Sequence, residues 1–596
     1  MAIKVTRYEG DFETTTDPND VRVWASCLVN IETCEVDFIG NGIHDFFEFL
    51  KNRNSIVYKH NLKFDGEFIL SYVLRVLKFK YSEKKEAGTF NCLITDDGLF
   101  YMIEVIFEKK NKKYKKVTFY DSLKKLPFKV SVIAKAFELE DRKLHIDYEA
   151  YRPEDHVLTK EEEDYIIADC KIVAQALKIQ FAQGLNRMTN ASDALNGYKE
   201  IIGKKRFEQW FPVLPLHLDA DLRRAYKGGY VYLNPKFKNK RVPLGLVFDV
   251  NSLYPDRMYN CLLPYGYPVY FEGEYEPDER YPLYIVRLKC GFKLKKDHLP
   301  TIQLKNNRSF IETEYLTSSN GEIVELTLTN VDLQLMKEHY DLFCEEYECG
   351  WKFKGAVGMF KEYIEYWSHV KETSTGGRRQ LAKLQLNSLY GKFASATDAK
   401  KKWVFLDRDE IVHYEVITEK VARENGLEPP EPRDPVYTAM ACFITAYARE
   451  KTIRAAQKVY PRFIYADTDS LHICGDEIPE ELEIHKTHLG AWKHEGTFID
   501  SKYIRAKTYM ETMLEHTEKL DLKSYARPLS KTFDVWKEEN GITWHETKVT
   551  CAGMPDNVKE QVNYDNFESG NTFDGKLMPK RYKGGIVLTP TTFTIK

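Results

Sequence analysis

The sequence predicts a chain of several domains with α/β and α+β folds. Its 596 residues are too many for one hydrophobic core, since domains hold roughly 150 residues each. Strand-like runs such as "IKVTRY" and "LFYMIEVIF" alternate with helical patterns such as "EEEDYIIADCKIVAQALKIQFAQGL" up to about residue 190, as in an α/β domain. The hydrophobic fraction of 43% is typical of folded proteins and argues against disorder.

The net charge gives no information about a polyanionic partner. The 87 Lys and Arg residues nearly cancel the 90 Asp and Glu residues, so a nucleic-acid site would have to come from local basic clusters. None of the 11 cysteines has the C-x-x-C spacing of a zinc or redox site, which predicts reduced thiols. The N-terminus lacks a signal-type apolar region and no run reaches about 18 apolar residues, so we expect no membrane segment and no secretion.

The rest of the chain divides by changes in pattern rather than by linkers. A helical segment from about 190 leads through "YKGGYVYL" to an apolar strand at 246–250, and a mixed segment follows at about 303–359. Two helical patterns meet at 375–377, and a proline-closed segment at about 396–434 predicts an inserted hairpin. The ending "YKGGIVLTPTTFTIK" predicts a last hairpin.

The stretch "YADTDSLHI" places two carboxylates, Asp467 and Asp469, within apolar sequence. Two ionised carboxylates about 4 Å apart repel by roughly 4 kcal/mol at an effective dielectric near 20, so the pair needs cations, protons or open water. Residues i and i+2 of a strand share a face, so we expect both to project together, joined by Asp249 of "LVFDVNSLYP" from a neighbouring strand. Carboxylate oxygens suit Mg²⁺. A lone D-x-D is equally typical of a turn or N-cap, and Asp249 favours the metal site.

A second set of acids lies near the N-terminus. Asp11 and Glu13 alternate in "YEGDFETTT", Asp65 follows in "HNLKFDGEF", and "YIIADC" places Tyr165 and Asp169 one helical turn apart. Four acids from three segments would form a two-metal hydrolytic site, in which Tyr165 orients the attacking water. Each also has a structural interpretation, because Asp65 fits a common Asp-Gly turn and the helical pair fits a solvated face.

Cations and aromatic rings form weaker patterns. Arg379, Lys383, Asn387 and Tyr390 would lie on one helical stripe that suits a triphosphate and a base, or a solvated face. The glycines of "YKGGY" allow close approach to DNA, although a plain turn is as typical. "RAKTYM" offers a cation and a ring on one face if extended. The basic runs at 109–116 and 236–241 fit a phosphate backbone, and the first also fits a solvated hairpin tip.

Six motifs in order resemble those of family B DNA polymerases. "DVNSLYP", "KLQLNSLYGKFA" and "YADTDSLHI" are similar to the polymerase motifs, and "DFETTT", "HNLKFDG" and "YIIADC" to those of the proofreading exonuclease. "YKGGY", "YDSLKKLPF", "CAGM" and "TFTIK" resemble the protein-primed replicases of small tailed Bacillus-type phages. The resemblance implies a ribonuclease-H-like 3′–5′ exonuclease domain joined to a right-hand polymerase of palm, fingers and thumb with two terminal-protein-region insertions.

The resemblance also implies boundaries for these units. They are an exonuclease domain (1–189), a first palm segment (190–302), a first terminal-protein-region insertion (303–359), fingers (360–395), a second such insertion (396–434), a second palm segment (435–545) and a thumb (546–596). Residues about 510–547 do not align with the family pattern, and the second insertion is longer than usual.

The resemblance assigns roles residue by residue at the polymerase site. Asp249 and Asp469 would hold two Mg²⁺ ions, with Mn²⁺ able to substitute, and Asp467 would support them. Tyr254 would exclude a 2′-hydroxyl, with Tyr390 packed beside it. The triphosphate would bind Lys383, Lys371 and Arg379, and the primer end would contact Lys507, Tyr509, Tyr226, Gly228 and Gly229.

At the exonuclease site the resemblance implies a second two-ion centre. The metal ligands would be Asp11, Glu13, Asp65 and Asp169, with Tyr165 and Lys143 as catalytic helpers. The frayed single strand would contact Thr14, Asn61, Phe64, Ser122 and Leu123.

The implied partners are primer–template DNA, single-stranded DNA, deoxynucleoside triphosphates and a separate terminal protein that supplies the first hydroxyl. We expect a monomer in the cytoplasm of an infected bacterial host that performs processive strand-displacement synthesis. One alternative is a family B polymerase and exonuclease that uses only nucleic-acid primers. A stand-alone exonuclease would need only residues 1 to about 190, and a non-catalytic scaffold would not need seven acids at two sites.

Overall fold

The computed structural model of the chain describes residues 5–110, 113–303, 314–398, 400–514 and 544–596. Part of the predicted first insertion (304–313), most of the unaligned segment (515–543) and two residues of the first basic run (111–112) lie outside these ranges. None of the helices within the described ranges combines the length and apolarity that crossing a bilayer requires.

The N-terminal domain is an α/β unit, as its alternating patterns predict. Its strands are β1 (Thr6–Thr14), β2 (Val23–Asn30), β3 (Val36–Gly40), β4 (Asn54–Lys59), β5 (Lys80–Tyr81), β6 (Thr89–Ile94), β7 (Phe100–Lys110) and β8 (Lys113–Asp121), and its helices are α1 (Ile43–Leu50), α2 (Leu62–Arg75), α3 (Val130–Ala136) and α4 (Lys160–Ala182). The sheet order is β3-β2-β1-β4-β8-β7-β6-β5, with β1, β4 and β8 parallel.

Two helices cover the central strands of this sheet. Helix α4 packs across β1 and β2, and it begins at a capping box in which the side chains of Thr159 and Glu162 satisfy each other's backbone N–H groups. On the opposite side, α2 packs against β4, β7 and β8. Leu28, Val57 and Phe119 are fully buried in the core that α2 shares with the sheet. Both helices therefore lie against the sheet that contains β1.

The middle of the chain adds two further sheets and several helices. These elements are α5 (Asn190–Ile202), α6 (Lys204–Trp210), α7 (Leu216–Arg223), β9 (Val231–Leu233), β10 (Arg241–Val242), β11 (Gly245–Val250), α8 (Leu253–Asn260), β12 (Leu263–Glu272), β13 (Leu283–Leu294), β14 (Ile302–Gln303), β15 (Tyr315–Leu316), β16 (Val324–Thr329), α9 (Asn330–His339) and β17 (Tyr340–Ala356). Strands β12, β17, β13 and β16 form one antiparallel sheet in that order.

The remaining elements complete the central sheet and the C-terminal part. They are α10 (Lys361–Thr373), α11 (Gly376–Lys392), β18 (Lys402–Leu406), β19 (Val412–Val416), α12 (Glu419–Asn425), α13 (Thr438–Lys458), β20 (Phe463–Asp467), β21 (Ser470–Cys474), β22 (Trp492–Arg505), β23 (Thr508–Leu514), β24 (Trp544–Cys551), α14 (Asp556–Lys559), β25 (Thr572–Tyr582) and β26 (Gly585–Thr594). The central sheet runs β24-β23-β22-β11-β21-β20-β9, and β10 pairs with β22.

Strand order in the central sheet brings distant sequence together. Strand β11, which carries Asp249, lies between β21 and β22, although more than 200 residues of sequence separate β11 from them. The predicted hairpin near 396–434 is β18–β19, and the short helix α12 that follows it was not predicted. The predicted C-terminal hairpin is β25–β26.

Candidate active sites

The carboxylates of Asp467 and Asp469 lie at a β-hairpin turn, so the expectation that both project from one strand face is wrong. Strand β20 ends at Asp467, which pairs with Ser470 at the start of β21. Between them Thr468 has a φ of 62°, and the Asp469 backbone N–H donates to the Asp467 carbonyl at 2.7 Å. The turn, which the sequence offered as an alternative to a metal site, therefore holds both of these predicted catalytic acids.

The turn gives the two acids different surroundings. The Asp467 carboxylate accepts from the Lys507 ammonium at 2.9 and 3.0 Å and from the Tyr465 hydroxyl at 3.2 Å. Asp469 instead lies beside Asp249, because the Val250 N–H donates to the Asp469 carbonyl at 2.8 Å and so ties the turn to β11. Asp467 thus already has a cation, whereas Asp469 faces another acid.

Asp249 and Asp469 oppose each other in a partly buried setting. Burial and the nearby Asp469 charge raise the pKa of Asp249 to about 6, and burial raises the pKa of Asp469. Within the described ranges no group of three or more His, Cys, Asp or Glu side chains is arranged to enclose a metal ion. Two hard carboxylates side by side fit Mg²⁺, which often takes one or two protein carboxylates and completes its shell from substrate phosphates. We call Asp249, Asp467 and Asp469 the central-sheet carboxylates.

A cavity of about 340 Å³ opens beside Asp469. Its walls include Ser252, Leu253, Tyr254, Lys371, Lys383, Leu386, Asn387 and Tyr390. The rings of Tyr254 and Tyr390 stack with centroids 3.8 Å apart. Burial and the nearby charges of Lys383 and Arg379 lower the pKa of Lys371. Such a concentration of cations suits an anionic ligand.

The predicted stripe on α11 is present, but Arg379 contributes differently from Lys383. The Arg379 guanidinium donates to the Lys371 carbonyl at 2.7 Å and is not among the residues that line the cavity. Lys371 comes from the neighbouring helix α10, and its ammonium lies 3.5 Å from the Ser252 hydroxyl. The cationic wall is therefore built by two helices.

Lys507 and Tyr509 lie beside the Asp467–Asp469 turn, but they do not form an extended pair. Lys507 has a φ of 57° in the turn between β22 and β23, and its backbone N–H donates to the Tyr465 hydroxyl at 3.0 Å. Tyr509 is the second residue of β23, and its ring centroid lies 5.2 Å from that of Tyr465. The expectation of one extended face is wrong because the backbone reverses at Lys507.

The "YKGGY" segment packs directly on the turn. A Cβ at Gly229 would come within 2.5 Å of the Thr468 hydroxyl, so this close approach requires glycine. The Tyr230 carbonyl accepts from the Thr468 N–H at 2.7 Å. Tyr226 is half-buried, and the Gly228 carbonyl accepts from Arg449 at 2.8 Å. The plain-turn alternative does not explain this contact.

The N-terminal acids come from β1, the first turn of α2 and the middle of α4, and we call Asp11, Glu13, Asp65 and Asp169 the N-terminal carboxylates. Asp65 lies in the first turn of α2, so its interpretation as an Asp-Gly turn is wrong. Asp169 and its neighbour Tyr165 are buried, which also excludes the solvated-face alternative.

Burial, together with repulsion among the acids, raises pKa values at this second site as well. Burial, Asp11 and Asp169 raise the pKa of Glu13 well above its ordinary value. Burial raises the pKa of Asp65, although the Lys59 ammonium, 3.1 Å away, opposes this. One Asp169 carboxylate oxygen, Oδ1, is buried without a hydrogen-bond partner. A buried acceptor among repelling acids fits a cation.

Lys143 and Tyr165 lie together beside Asp169, as predicted. The Lys143 ammonium donates to the Asp169 carboxylate and to the Tyr165 hydroxyl, the latter at 3.1 Å. The Tyr165 hydroxyl also contacts that of Tyr148, which the sequence analysis did not single out.

Comparison with known proteins agrees with this geometry. Residues 48–485 match the family model of DNA polymerase type B, organellar and viral. The DNA polymerase of Bacillus phage B103 is 46% identical over 589 residues, covering 98% of this chain and 99% of the relative. Solved structures of the phi29 DNA polymerase with primer–template DNA, and with primer–template DNA and incoming nucleotides, are 45% identical with TM-scores of 0.91 and 0.90. They cover 100% and 99% of this chain and 100% of theirs.

The chain belongs to the family B DNA polymerases. The predicted family, the multidomain fold and the DNA polymerase activity are thereby confirmed.

Three features of this polymerase escaped the sequence analysis. Lys59 is fully buried at the end of β4, where its ammonium lies 3.2 Å from the Phe12 ring centroid as well as beside Asp65. The buried pair of Arg449 and Asp332 joins α13 to α9, and Arg449 also donates to two carbonyls of the "YKGGY" segment. A buried lysine or arginine has no local sequence signal, because its partner is distant in the chain.

The third feature is Asp121, which organises the residues expected to hold single-stranded DNA. Its Oδ1 oxygen accepts from the backbone N–H groups of Asn61 (3.1 Å), Leu62 (3.3 Å) and Leu123 (3.1 Å). Asn61 has a φ of 71°, a conformation that Asn tolerates better than most residues. Ser122 joins the same junction through a 2.9 Å contact between its hydroxyl and His60.

Two of the five expected DNA ligands lie outside this junction. Thr14 ends β1, and Phe64 lies in the first turn of α2 with its ring 5.8 Å from that of Phe68. Both adjoin predicted metal ligands in sequence, since Thr14 follows Glu13 and Phe64 precedes Asp65.

We predict that Asp121→Ala loosens both segments that this carboxylate joins. Amide hydrogen exchange in peptides covering 61–64 and 122–124 should accelerate by about tenfold, because three backbone donors lose their acceptor. Asp407→Ala is a matched control, since the Asp407 carboxylate accepts two backbone N–H groups in the distant β18–β19 turn. Unchanged exchange at 61–64 in Asp121→Ala would contradict the assigned role.

Proposed function

We propose that this DNA polymerase transfers nucleotides at the central-sheet carboxylates and removes them from 3′ ends at the N-terminal carboxylates. The observation that carries the proposal is the pairing of Asp249 and Asp469 beside a cavity lined by Lys371 and Lys383. The two mutually repelling acids suit binding of metal ions, and the cationic cavity beside them suits binding of the triphosphate.

At the central site each side chain has a distinct task. Asp249 and Asp469 would hold two Mg²⁺ ions, and Asp467 would support them. Bound Mg²⁺ lowers the pKa of a primer hydroxyl and offsets charge on the reacting phosphates. The triphosphate is held by Lys371 and Lys383, and Arg379 positions Lys371 through its carbonyl.

The sugar and the primer are held by rings and close backbone contacts. The Tyr254 ring, which stacks on the ring of Tyr390, would lie beneath the nucleotide sugar and exclude sugars that carry a 2′-hydroxyl. Lys507 and Tyr509 steady the primer end, close to Asp467. Tyr226, Gly228 and Gly229 help pass the primer between the two sites, which the close contact of Gly229 with Thr468 supports.

At the N-terminal site we propose proofreading. The four N-terminal carboxylates would hold Mg²⁺ or Mn²⁺, Tyr165 orients the attacking water, and Lys143 supports Asp169. Thr14, Asn61, Phe64, Ser122 and Leu123 hold the frayed strand, which the shared Asp121 contacts support. A solved structure of the phi29 enzyme with single-stranded DNA, 45% identical with a TM-score of 0.90, is consistent with this partner.

We further propose that synthesis begins on a terminal protein. Its side-chain hydroxyl would replace the primer hydroxyl at the same site. The first insertion (303–359) would contact this protein and DNA, and the second (396–434) would close a tunnel around the template and favour strand displacement. The enzyme would act as a monomer in the cytoplasm of an infected bacterium. The near full-length similarity to Bacillus phage polymerases supports these proposals.

Single substitutions should separate the two activities. Asp469→Asn should lower primer extension by at least about a thousandfold, because it removes a charge from the metal ligands, while 3′-end shortening persists. The pair Asp11→Ala with Asp65→Ala should do the reverse. Both are measured on a labelled primer–template with Mg²⁺.

Asp467→Asn is the matched control at the same turn. We expect a milder loss of extension than for Asp469→Asn, because Lys507 already neutralises Asp467. Equal losses in the two variants would contradict the division of roles, and loss of both activities in Asp469→Asn would contradict two separate sites.

Protein priming has its own test. Incubation with a candidate terminal protein and labelled deoxyadenosine triphosphate should place covalent label on that protein, and Asp249→Asn should abolish the transfer. Extension of DNA primers without any such label would favour the alternative that only nucleic-acid primers are used.

A further inference from the structure

A fully buried lysine lies behind the N-terminal carboxylates. Lys59 is the last residue of β4, its side chain is 0% exposed, and its ammonium donates to Oδ1 of Asp65 at 3.1 Å. A lysine is almost never fully buried unless its charge is paired, because desolvation disfavours the ammonium. The pair with Asp65 is therefore what allows a charged side chain at this place in the core.

Two aromatic rings complete the surroundings of this ammonium. It lies 3.2 Å from the ring centroid of Phe12 and 5.3 Å from that of Phe46. An aromatic ring attracts a cation, most strongly where water is excluded. Phe12 stands between Asp11 and Glu13 on β1, so one short segment supplies two of the acids and one wall of the lysine's surroundings.

The charge of Lys59 acts on more than one acid. It opposes the effect of burial on the pKa of Asp65. It also attracts Glu9 of β1, which is 2% exposed and whose Oε2 oxygen is buried without a hydrogen-bond partner. Burial and the Asp11 charge nevertheless raise the pKa of Glu9 well above its ordinary value. The ammonium thus lies among acids that repel one another.

Lys59 differs from Lys143, which also pairs with one of the N-terminal carboxylates. The Lys143 side chain is 32% exposed and contacts Asp169 and the Tyr165 hydroxyl, so solvent and substrate can reach it. Lys59 has no exposed surface, so it cannot touch DNA or an attacking water. Any effect of Lys59 on a reaction at this site must therefore act through Asp65.

We propose that Lys59 is an internal counter-ion that sets the metal affinity of the N-terminal carboxylates. Its ammonium holds Oδ1 of Asp65 and supplies one positive charge before any metal ion binds, so the folded domain tolerates the cluster of acids. An ion bound by Asp65 shares this carboxylate with the ammonium, and repulsion between the like charges weakens metal binding. Lys59 is thus a positioning residue. The inference rests on the proposed function of this site, which it deepens by naming the residue that regulates metal occupancy.

The test is Mn²⁺ binding by Lys59→Met, measured from the electron paramagnetic resonance signal of the free ion. Asp249→Asn and Asp469→Asn are present in every chain compared, so that binding reports on the N-terminal carboxylates. Methionine has a similar shape but no charge, so Lys59→Met should bind Mn²⁺ about tenfold more tightly, because a repelling cation is gone. Unchanged or weaker binding would overturn the proposal, since a lysine that only packs the core or only fixes Asp65 predicts that result.

Lys125→Met is the matched control in the same domain. Lys125 is also fully buried, pairs with Asp193 at 2.6 Å and lies 5.7 Å from the Phe181 ring centroid. Asp193 is not one of the N-terminal carboxylates, so the Mn²⁺ affinity should match that of the chain with Lys125. Equal tightening in both lysine variants would overturn the proposal, because it would show a general effect of removing a buried cation.

A second measurement tests the counter-ion without metal, and it applies even where Lys59→Met is unstable. Asp65 in that variant is a buried acid without its cation, so amide hydrogen exchange in peptides covering 54–66 should accelerate by at least about tenfold. Adding Asp65→Asn should restore slow exchange, because the ion pair is then removed as a whole. Fast exchange in the double variant would overturn the proposal, because it would show that Lys59 stabilises the domain by packing alone.

The proposed function fails in a different way. If the unsubstituted enzyme binds Mn²⁺ at the N-terminal carboxylates but shortens no 3′ ends, proofreading at this site is refuted. The tighter Mn²⁺ binding of Lys59→Met would still support the counter-ion, because that measurement uses no DNA.

Discussion

Repulsion between buried carboxylates is the constraint on which both sites depend. At each site acids from separate elements lie close together, on strands and a turn of the central sheet and on β1, α2 and α4 of the N-terminal domain. Folding concentrates negative charge in a setting of low dielectric, where repulsion is stronger than in water. Lys507, Lys143 and Lys59 offset part of this charge by pairing with one acid each. Asp467, which pairs with Lys507, has the supporting role, whereas Asp65 and Asp169 are assigned to metal although each pairs with a lysine.

The same distribution of charge distinguishes the acids assigned as direct metal ligands from the acid assigned to support them. Asp467 is satisfied by a lysine that the turn between β22 and β23 supplies, whereas Asp249 and Asp469 face each other beside the cationic cavity. The position of the hairpin turn decides this, because a φ of 62° at Thr468 separates the surroundings of the two aspartates. Gly229 then allows the "YKGGY" segment to pack against that turn.

Local periodicity predicted the parts of the fold and sites that depend on near neighbours. The alternation of Asp11 and Glu13 on β1 and the one-turn spacing of Tyr165 and Asp169 on α4 both follow from strand and helix geometry. The same rule failed at Asp467 and Asp469, because a two-residue turn and a strand can share the pattern D-x-D. The motif resemblance, rather than periodicity, predicted that strands so far apart would adjoin.

Contacts between distant segments could not be predicted from the sequence. Asp121 acts on backbone N–H groups about 60 residues away, and Arg449 pairs with an acid 117 residues away. Because the partners of Asp121 and Arg449 are distant in sequence, no local pattern distinguishes these two residues from other charged residues. These long-range polar contacts hold the "YKGGY" segment and the backbone around Asn61 and Leu123 in place.

The most direct test of the account is to give the purified protein a 5′-labelled primer–template with Mg²⁺, with and without deoxynucleoside triphosphates. Two separate carboxylate sites predict primer extension when nucleotides are present and shortening from the 3′ end when they are absent. Extension without any shortening would contradict the role assigned to the N-terminal carboxylates. Neither activity appearing would contradict the account as a whole.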